Sequence, residues 1–555
     1  MTRRFLSLLL SLVLLCGACG AAAFAEEEPV ELSIVTVRRT TDITESYSQK
    51  VWVQEMEEAL NVKINWIELT EGQLDEPLTA LLASQDLPDI FWAGSCMSDA
   101  IVSQNASLWH VMTMEEITTY MPNLYNFLET YWGDGWVENQ TYPDGNIYSM
   151  PGGKMHSRMH VTQGIQYINT KWLDNLGLEM PTTMEEFYEV LCAFRDEDAN
   201  GNGDPNDEIP FDFADSFYSS WLMNVAVSWG LPMYPSGGVY YDWDEEGNVI
   251  GAVNTEAFRE CIEYCYKLGQ EGLINLEGFA QTLDQFNANL NADKVGVFWA
   301  WGPCNHIEDS ELFLQFEPLV PLPAEGYETE MYTGNLDFAN AYRNNFIITK
   351  NCENIEKAYE LWEYASDPIR ALEICNGSHR GVMWDFVDEN NEYLPADATL
   401  EEIAANGFKY LPYVFETEEE ENAALTAAGY DWLIGKTYTG SNTTGLVNIA
   451  PLMLESENYR TDDLTVWGAQ RYASLDQYDE YLCPYYMNAS VVSAEAQEEL
   501  DFMTDGLDKI IKGFFAESVM NGITDESWNA YLNDLETYGY DYYIDFYNRK
   551  AHNEL

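Results

Sequence analysis

An alternation of short β-branched runs with amphipathic stretches constrains this chain most. "ELSIVTV" reads as a strand over Leu32 to Val37. "SYSQKVWVQEMEEALNVKINWIEL" then reads as a helix ending near Asn61 and a strand from Val62 to Leu69. "LTALLASQDLPDIFWAG" repeats the scheme, with a helix, a turn at Leu87–Pro88 and a buried strand from Asp89 to Trp92. Strands alternating with helices imply an α/β domain built on a largely parallel sheet. In such sheets ligands bind beyond the carboxyl ends of the strands, so the loop after Trp92 is a candidate pocket wall.

The same grammar continues. Asp144–Gly145 in "YPDGNIYSMPGG" marks a hairpin, with Asp144 and Asn146 as turn residues. Thr182 and Glu185 form a capping box ahead of a helix over 184–195, whose apolar face is Met184, Phe187, Tyr188 and Leu191. "NTEAFRECIEYCYKLGQEGLI" is an amphipathic helix closed by glycine, and "ADKVGVFWAWGP" is a central strand. From about Ser493 the chain is helical. At 555 residues there is material for two or more domains. No repeat or Pro/Ser linker separates them, which points to two packed lobes crossed several times by the chain.

Net charge narrows the partners. With 26 basic and 94 acidic residues the chain carries −68, so nucleic acid and anionic lipid headgroups are excluded as natural ligands. The leader has Arg3 and Arg4 before an apolar run from Phe5 to Leu15, which is too short to span a bilayer and marks export. "AFA" at Ala23 to Ala25 fits ordinary signal cleavage after Ala25. "CGAC" resembles a lipobox with Cys19 as the lipidated residue, although Cys16 stands where leucine is usual. The protein is thus expected outside the cytoplasm, secreted or attached to the cell surface. The eight cysteines after the leader are scattered and contain no CxxC pair, which argues against a zinc site.

"DEDANGNGDPNDE", residues 196–208, concentrates carboxylates and amides where like charges repel. A helix runs straight into it, as the first helix of an EF-hand runs into its loop. Counting Asp196 as position one gives Asp198, Asn200, Gly201, Asp204 and Asp207 at three, five, six, nine and twelve. A second register starts at Asp198 and uses Asn200, Asn202, the Asp204 carbonyl and the Asp207/Glu208 pair. Calcium takes six to eight hard oxygens, and the glycines permit the curl that aims them inward. Ile209–Pro210 leaves no exit helix. A solvated acidic turn is the plain alternative; no catalytic group accompanies the loop, so an ion there would brace the fold.

Several stretches together resemble one family: "LPDIFW", "DGNIYSMP", "YINTKWLDNLGLEMPTTMEEFYEVLCAFRDEDANGNGDPNDEIPF", "KLGQEGLI", "KVGVFWAWG", "GVMW" and "DESWNAYLNDLETYGYDYYIDFY". They resemble the extracellular solute-binding proteins, family 1, of ABC transporters, and in particular the long oligosaccharide-binding members. The resemblance implies a two-lobed clamp of the periplasmic-binding-protein type. Each lobe would be a mostly parallel sheet flanked by helices, with a helical C-terminal portion. Such a clamp closes over a ligand by hinge motion and delivers it to a membrane permease. It implies residues 1–25 as signal peptide, 26–160 as the first lobe with 337–375 returning to it, and 161–336 as the second lobe with 376–555 completing it. It also carries calcium ligation to Asp198, Asn200, Asn202, Asp204, Asp207 and Glu208. One extra residue between the glycines and the Asp–Glu pair leaves the choice between Asp207 and Glu208, and the part of Asp196, open.

Sugar rings have apolar faces that stack on aromatic planes and hydroxyls that need polar partners. Trp92, Trp299, Trp301 and Trp384 lie at strand ends or loops of the quoted motifs, with Trp299 and Trp301 on one side of a strand. Arg380 and His379 could bond hydroxyls. The negative charge favours a neutral oligosaccharide over a polyuronate. The expected protein is a monomeric, non-catalytic binder. The alternatives are a secreted glycoside-cleaving enzyme, which needs a suitable carboxylate pair, and a peptide-binding clamp.

Overall fold

The computed structural model describes residues 28–38, 46–70, 73–92, 97–131, 133, 135–155, 164–214, 221–235, 238–333, 341–376, 380–381, 384–388, 390, 392–404, 407–410, 453–454, 477–487, 491–552 and 554–555. The leader with Cys19 and Ala25 lies outside them, as does His379. In the first part of the chain the strands are β1 (Val30–Arg38), β2 (Val62–Thr70), β3 (Ile90–Trp92), β4 (Met150–Met155), β5 (Ile165–Asn169) and β6 (Ile209–Phe211). They continue as β7 (Tyr241–Trp243), β8 (Val249–Gly251), β9 (Val295–Ala300), β10 (Phe316–Leu319) and β11 (Ala341–Ile348). Last come β12 (Trp384–Val387), β13 (Gly407–Tyr410) and β14 (Met453–Leu454).

Two sheets organise the molecule. The first has the order β14-β4-β11-β3-β1-β2. Its β1 runs parallel to both β2 and β3, as the strand–helix alternation requires, because a helical crossover returns each strand in the same direction. The antiparallel β11 pairs with β3 and β4. The second sheet has the order β10-β5-β9-β6, and here only β6 and β9 are parallel. Both sheets are therefore mixed, and the second departs furthest from the mostly parallel expectation. The reason is connectivity: β5 and β11 arrive from the other sheet, so no helical crossover sets their direction, and both lie antiparallel to their neighbours. The remaining pairs, β7–β8 and β12–β13, are antiparallel ribbons.

Two separate cores follow. One joins Ile34, Phe91, Trp92, Phe346 and Trp362 beneath the first sheet. The other joins Ile168, Phe194, Phe211, Phe298, Leu507, Phe515 and Tyr531 around the second. The chain passes from the first sheet to the second between β4 and β5 and returns between β10 and β11. Phe386 and Ile403 contribute to the first core and β14 to its sheet, so part of the segment after 376 packs with the first unit.

Local rules set the element ends. Asn61, in the left-handed region at φ 50°, closes the helix Val51–Leu60 and turns the chain into β2. The helix Met184–Asp196 starts at the residue read from the sequence, but its cap lies one residue later than the Thr182/Glu185 box. Its N-cap is Thr183, which accepts from the Glu186 N–H, while the Glu186 carboxylate accepts from the N–H and hydroxyl of Thr182. Ser493 caps the helix Ala494–Asn521, which is followed by Asp525–Tyr538 and Tyr540–Ala551. Buried tyrosines fasten this C-terminal portion to the second core. The Tyr543 hydroxyl donates to the Gly238 carbonyl at 2.6 Å, and the Tyr540 hydroxyl accepts from the Ala252 N–H at 3.0 Å.

Candidate functional site

The loop after Asp196 is anchored at both ends. Glu197 N–H closes onto the Ala193 carbonyl at 3.1 Å, and Ile209 N–H donates to the Lys294 carbonyl at 2.6 Å as β6 begins. Between these points the chain curls through short side chain–backbone turns. Asn200 Oδ1 accepts from Asn202 N–H at 2.9 Å, and Asn202 Oδ1 accepts from Asp204 N–H at 2.8 Å. Asp198 Oδ2 accepts from Gly203 N–H at 3.0 Å. Gly201 and Gly203 stand at φ 76° and 95°, where a side chain would be strained. The curl closes when Glu208 Oε1 accepts from Ala199 N–H at 3.0 Å, which sets Glu208 beside Asp198.

Charge in this loop is incompletely met. Asp198 Oδ1 and Glu208 Oε2 are buried and have no hydrogen-bond donor. Burial, with the charge of Asp207 beside it, pushes the Glu208 carboxyl above its ordinary range. Burial likewise raises Asp293, with the charges of Asp207 and Glu208 adding to the effect. Asp207 is better served, by the amides of Asn200 and Asn202 at 3.4 and 3.2 Å and by Lys294 Nζ at 3.5 Å. Asp204 Oδ1 receives both the backbone N–H and the side-chain amide of Asn206. Asp196 is forked by the Arg195 guanidinium at 2.7 and 2.8 Å. Two orphaned carboxylate oxygens among amide and carboxylate neighbours fit a hard cation with oxygen preference. Among the described residues no three His, Cys, Asp or Glu side chains gather closely enough to hold a metal alone. Amide and backbone oxygens are needed to complete a coordination sphere.

The carboxyl ends of β1 and β3 in the first sheet form the second candidate region. Here β11 is irregular: its register shifts between Tyr342 and Phe346, and Asn344 sits at φ 63°. Buried Asn344 accepts from the Tyr142 hydroxyl at 2.6 Å and from Ser149 at 3.0 Å, and donates to the Met97 carbonyl and to Asp99 at 2.8 Å. Arg343 bonds Asp99 through Nε at 3.1 Å and the Asn139 carbonyl at 2.6 Å. Asp99 opens the short helix Asp99–Gln104 that follows β3. The far end of that helix meets the second unit, where Gln104 Nε2 donates to Glu498 Oε1 at 2.6 Å. The network was not anticipated. Its one trace in the sequence is "YRNNF", two asparagines inside a strand pattern, a composition that fits a bulge better than a regular ladder.

The five ligand candidates fall on β3, on β9 and the residue just after it, and on the ribbon β12–β13 with the turn before it. Trp92 is completely buried, with Trp52, Trp66, Phe346 and Trp362 around its ring at 5.3 to 6.2 Å between centroids. No face of Trp92 is left for a sugar. Trp299 is 5% exposed in the second core, its indole against Gly164. Trp301, one residue beyond β9, is half-buried, and its carbonyl accepts from the Tyr167 hydroxyl at 3.3 Å. Trp384 stands in β12 opposite Tyr410. Arg380 braces that ribbon through Asp385 at 2.6 Å and the Leu394 carbonyl at 2.9 Å.

No family model matches the chain. By sequence it is 26% identical over 507 residues to the fructooligosaccharide ABC transporter substrate-binding protein FusA of Streptococcus pneumoniae, across 90% of this chain and 86% of that protein. By structure it resembles an HMO-binding, ABC-transporter-associated solute-binding protein of Bifidobacterium longum infantis, with a TM-score of 0.74 and 21% identity over 94% of this chain and 98% of that one. It also resembles an EF-hand mutant of FusA in complex with fructo-nystose, with a TM-score of 0.69 and 21% identity over 94% and 99%. The chain is a homologue of the substrate-binding proteins of ABC transporters and has their two-lobed α/β fold with a helical C-terminal portion.

Proposed function

We propose that this chain is the extracellular substrate-binding component of an ABC importer, capturing a neutral oligosaccharide between its lobes and handing it unchanged to a membrane permease. The observation that carries the reading is the similarity to FusA along nearly the whole of both chains. Two independent cores joined by a few chain passages support hinge closure, because each unit keeps its packing while the joint moves. The first core and its sheet are one lobe, the second core with the C-terminal helices the other. The leader supports export, with release after Ala25 or an anchor through Cys19; the exported protein acts as a monomer in this reading.

The loop 196–208 holds a structural calcium ion in this reading. Asp198 and Glu208 would supply carboxylate oxygens, Asn200 and Asn202 amide oxygens, and Asp204 its carbonyl, with Asp207 beside them. The orphaned oxygens of Asp198 and Glu208 support this, as does the EF-hand named in the FusA structure. The ion would neutralise the loop and stiffen the second lobe; the ligand would bind elsewhere.

Titration calorimetry of the mature protein tests the reading. Neutral oligosaccharides of three to five units are expected to bind one per protein and to be recovered intact by mass spectrometry. Binding of peptides but no sugar, or steady release of cleaved sugar, overturns it.

A further inference from the structure

The loop 196–208 is docked on a turn 93 residues beyond Asn200. In that turn Asp293 stands in the left-handed region at φ 54° and ends the helix Leu283–Asn291, and Lys294 leads into β9. The Asp293 carbonyl accepts from the Asn200 side-chain amide at 3.1 Å, and the Lys294 carbonyl accepts from Ile209 N–H at 2.6 Å. The Trp172 indole N–H donates to Asp293 Oδ1 at 3.2 Å and ties the turn to the helix Thr170–Leu176. Ile209 also pairs in register with Val295. The backbone of Lys294 is thus fixed against the end of the loop, and its ammonium reaches back to Asp207 Oδ2 at 3.5 Å. Among the described residues Lys294 is the one basic side chain whose ion pair falls on a candidate calcium ligand; Arg195, the other base at the loop, is engaged by Asp196. Asp198 Oδ1 and Glu208 Oε2, by contrast, are buried without a hydrogen-bond partner.

We propose that Lys294 sets the calcium affinity of this loop as a tethered competitor: its ammonium neutralises Asp207 when no ion is bound, and repels a multivalent cation held beside Asp207. The inference rests on the calcium reading above and adds to it a residue outside the loop. A unit positive charge separated from a divalent ion by a single carboxylate weakens binding by about tenfold at low ionic strength and about threefold at about 0.15 M salt. Coulomb repulsion grows with the charge of the ion, so a trivalent lanthanide is disfavoured by about thirtyfold at low ionic strength. Without an ion the sign reverses, because the ammonium then offsets the charge that Asp207 places next to Glu208. Lys294 thereby lowers the reward for filling the loop and the cost of leaving it unfilled.

The probes are calcium and terbium ions, titrated calorimetrically into the chelator-treated mature protein at low and at physiological ionic strength. Wild type is compared with Lys294→Met, which keeps the apolar stem and removes the charge, with Lys294→Arg, and with the control Lys63→Met, whose lysine pairs with Glu57 in the first unit. Lys294→Met is expected to bind calcium about tenfold more tightly at low ionic strength and about threefold more tightly at physiological salt, with a larger gain for terbium. Lys294→Arg keeps the charge and stays within about twofold of wild type at low ionic strength. Lys63→Met is unchanged. In chelator Lys294→Met melts below wild type, and the interval between its chelator and calcium melting temperatures widens. Calcium affinity in Lys294→Met equal to that of wild type overturns the proposal. A loss of affinity assigns Lys294 to holding Asp207 in place and also overturns it, as does a gain that salt leaves unchanged or that Lys294→Arg shares. Wild type that binds neither ion overturns the calcium reading as well and leaves the importer reading standing.

Discussion

Asp242 offers the sharpest quantitative test of the second core. It stands in β7, with Trp243 N–H donating to Oδ1 at 2.7 Å. Burial, aided by the charge of Glu330, pushes its carboxyl from 3.8 up to about 7. The sign follows from linkage. Below pH 3.8 the carboxyl is protonated folded and unfolded, and nothing is lost. Between about pH 4 and 7 the unfolded chain releases the proton while the folded chain keeps it, so stability falls as pH rises. Above about 7 both forms are ionised and the penalty is constant. A shift of about three units at 1.36 kcal/mol each gives a penalty of about 4 kcal/mol. Asp242→Asn keeps the Oδ1 acceptor and removes the charge. The variant is expected to gain nothing at pH 4 and about 4 kcal/mol at pH 8, read as the difference in urea unfolding free energy. Comparing the two proteins at each pH cancels the general repulsion of a strongly acidic chain. A difference that is flat with pH, or a less stable variant at pH 8, refutes the argument.

Removing divalent cations with a chelator should lower the melting temperature. At free calcium one hundred times the dissociation constant the ion contributes about 2.7 kcal/mol, and Asp198→Asn should abolish most of the difference between calcium and chelator. Arg343→Met should cost about 1–3 kcal/mol in denaturant unfolding, because it leaves the Asp99 carboxylate short of donors. Asp99→Asn in the same chain should restore part of that loss, since the two groups act on each other and their effects do not add.

Local chemistry made much of the fold legible in the sequence. The β1–β2–β3 unit was readable because strand and helix periodicities alternate cleanly there and Asn61 supplies the left-handed stop. The direction of β5 and β11 was not readable, because it depends on which sheet the chain comes from, and no short-range pattern encodes that. The loop at 196–208 was visible because its donors are consecutive. The ligand candidates were chosen by position at strand ends, yet a tryptophan there can face inward. Trp92 does, where the neighbouring Trp52, Trp66 and Trp362 were invisible as its partners.

The placement of the few basic residues bears on how such a clamp could move. Arg343 pairs with Asp99 and Arg380 with Asp385 within the first unit, while Arg259 pairs with Asp525 and Lys294 with Asp207 within the second. These pairs brace each unit from inside. Where the helices Asp99–Gln104 and Ala494–Asn521 meet, the contact is an amide donating to a carboxylate, which is easier to break and remake than a desolvated ion pair. A cation also bears on this junction: Lys550, on the helix Tyr540–Ala551 of the second unit, lies close enough to Asp99 and Arg343 of the first for their charges to act on it. On the importer reading proposed above, the free energy of closure would come from the ligand's contacts with both lobes. That is the condition under which occupancy, and not the protein alone, decides whether the clamp is shut.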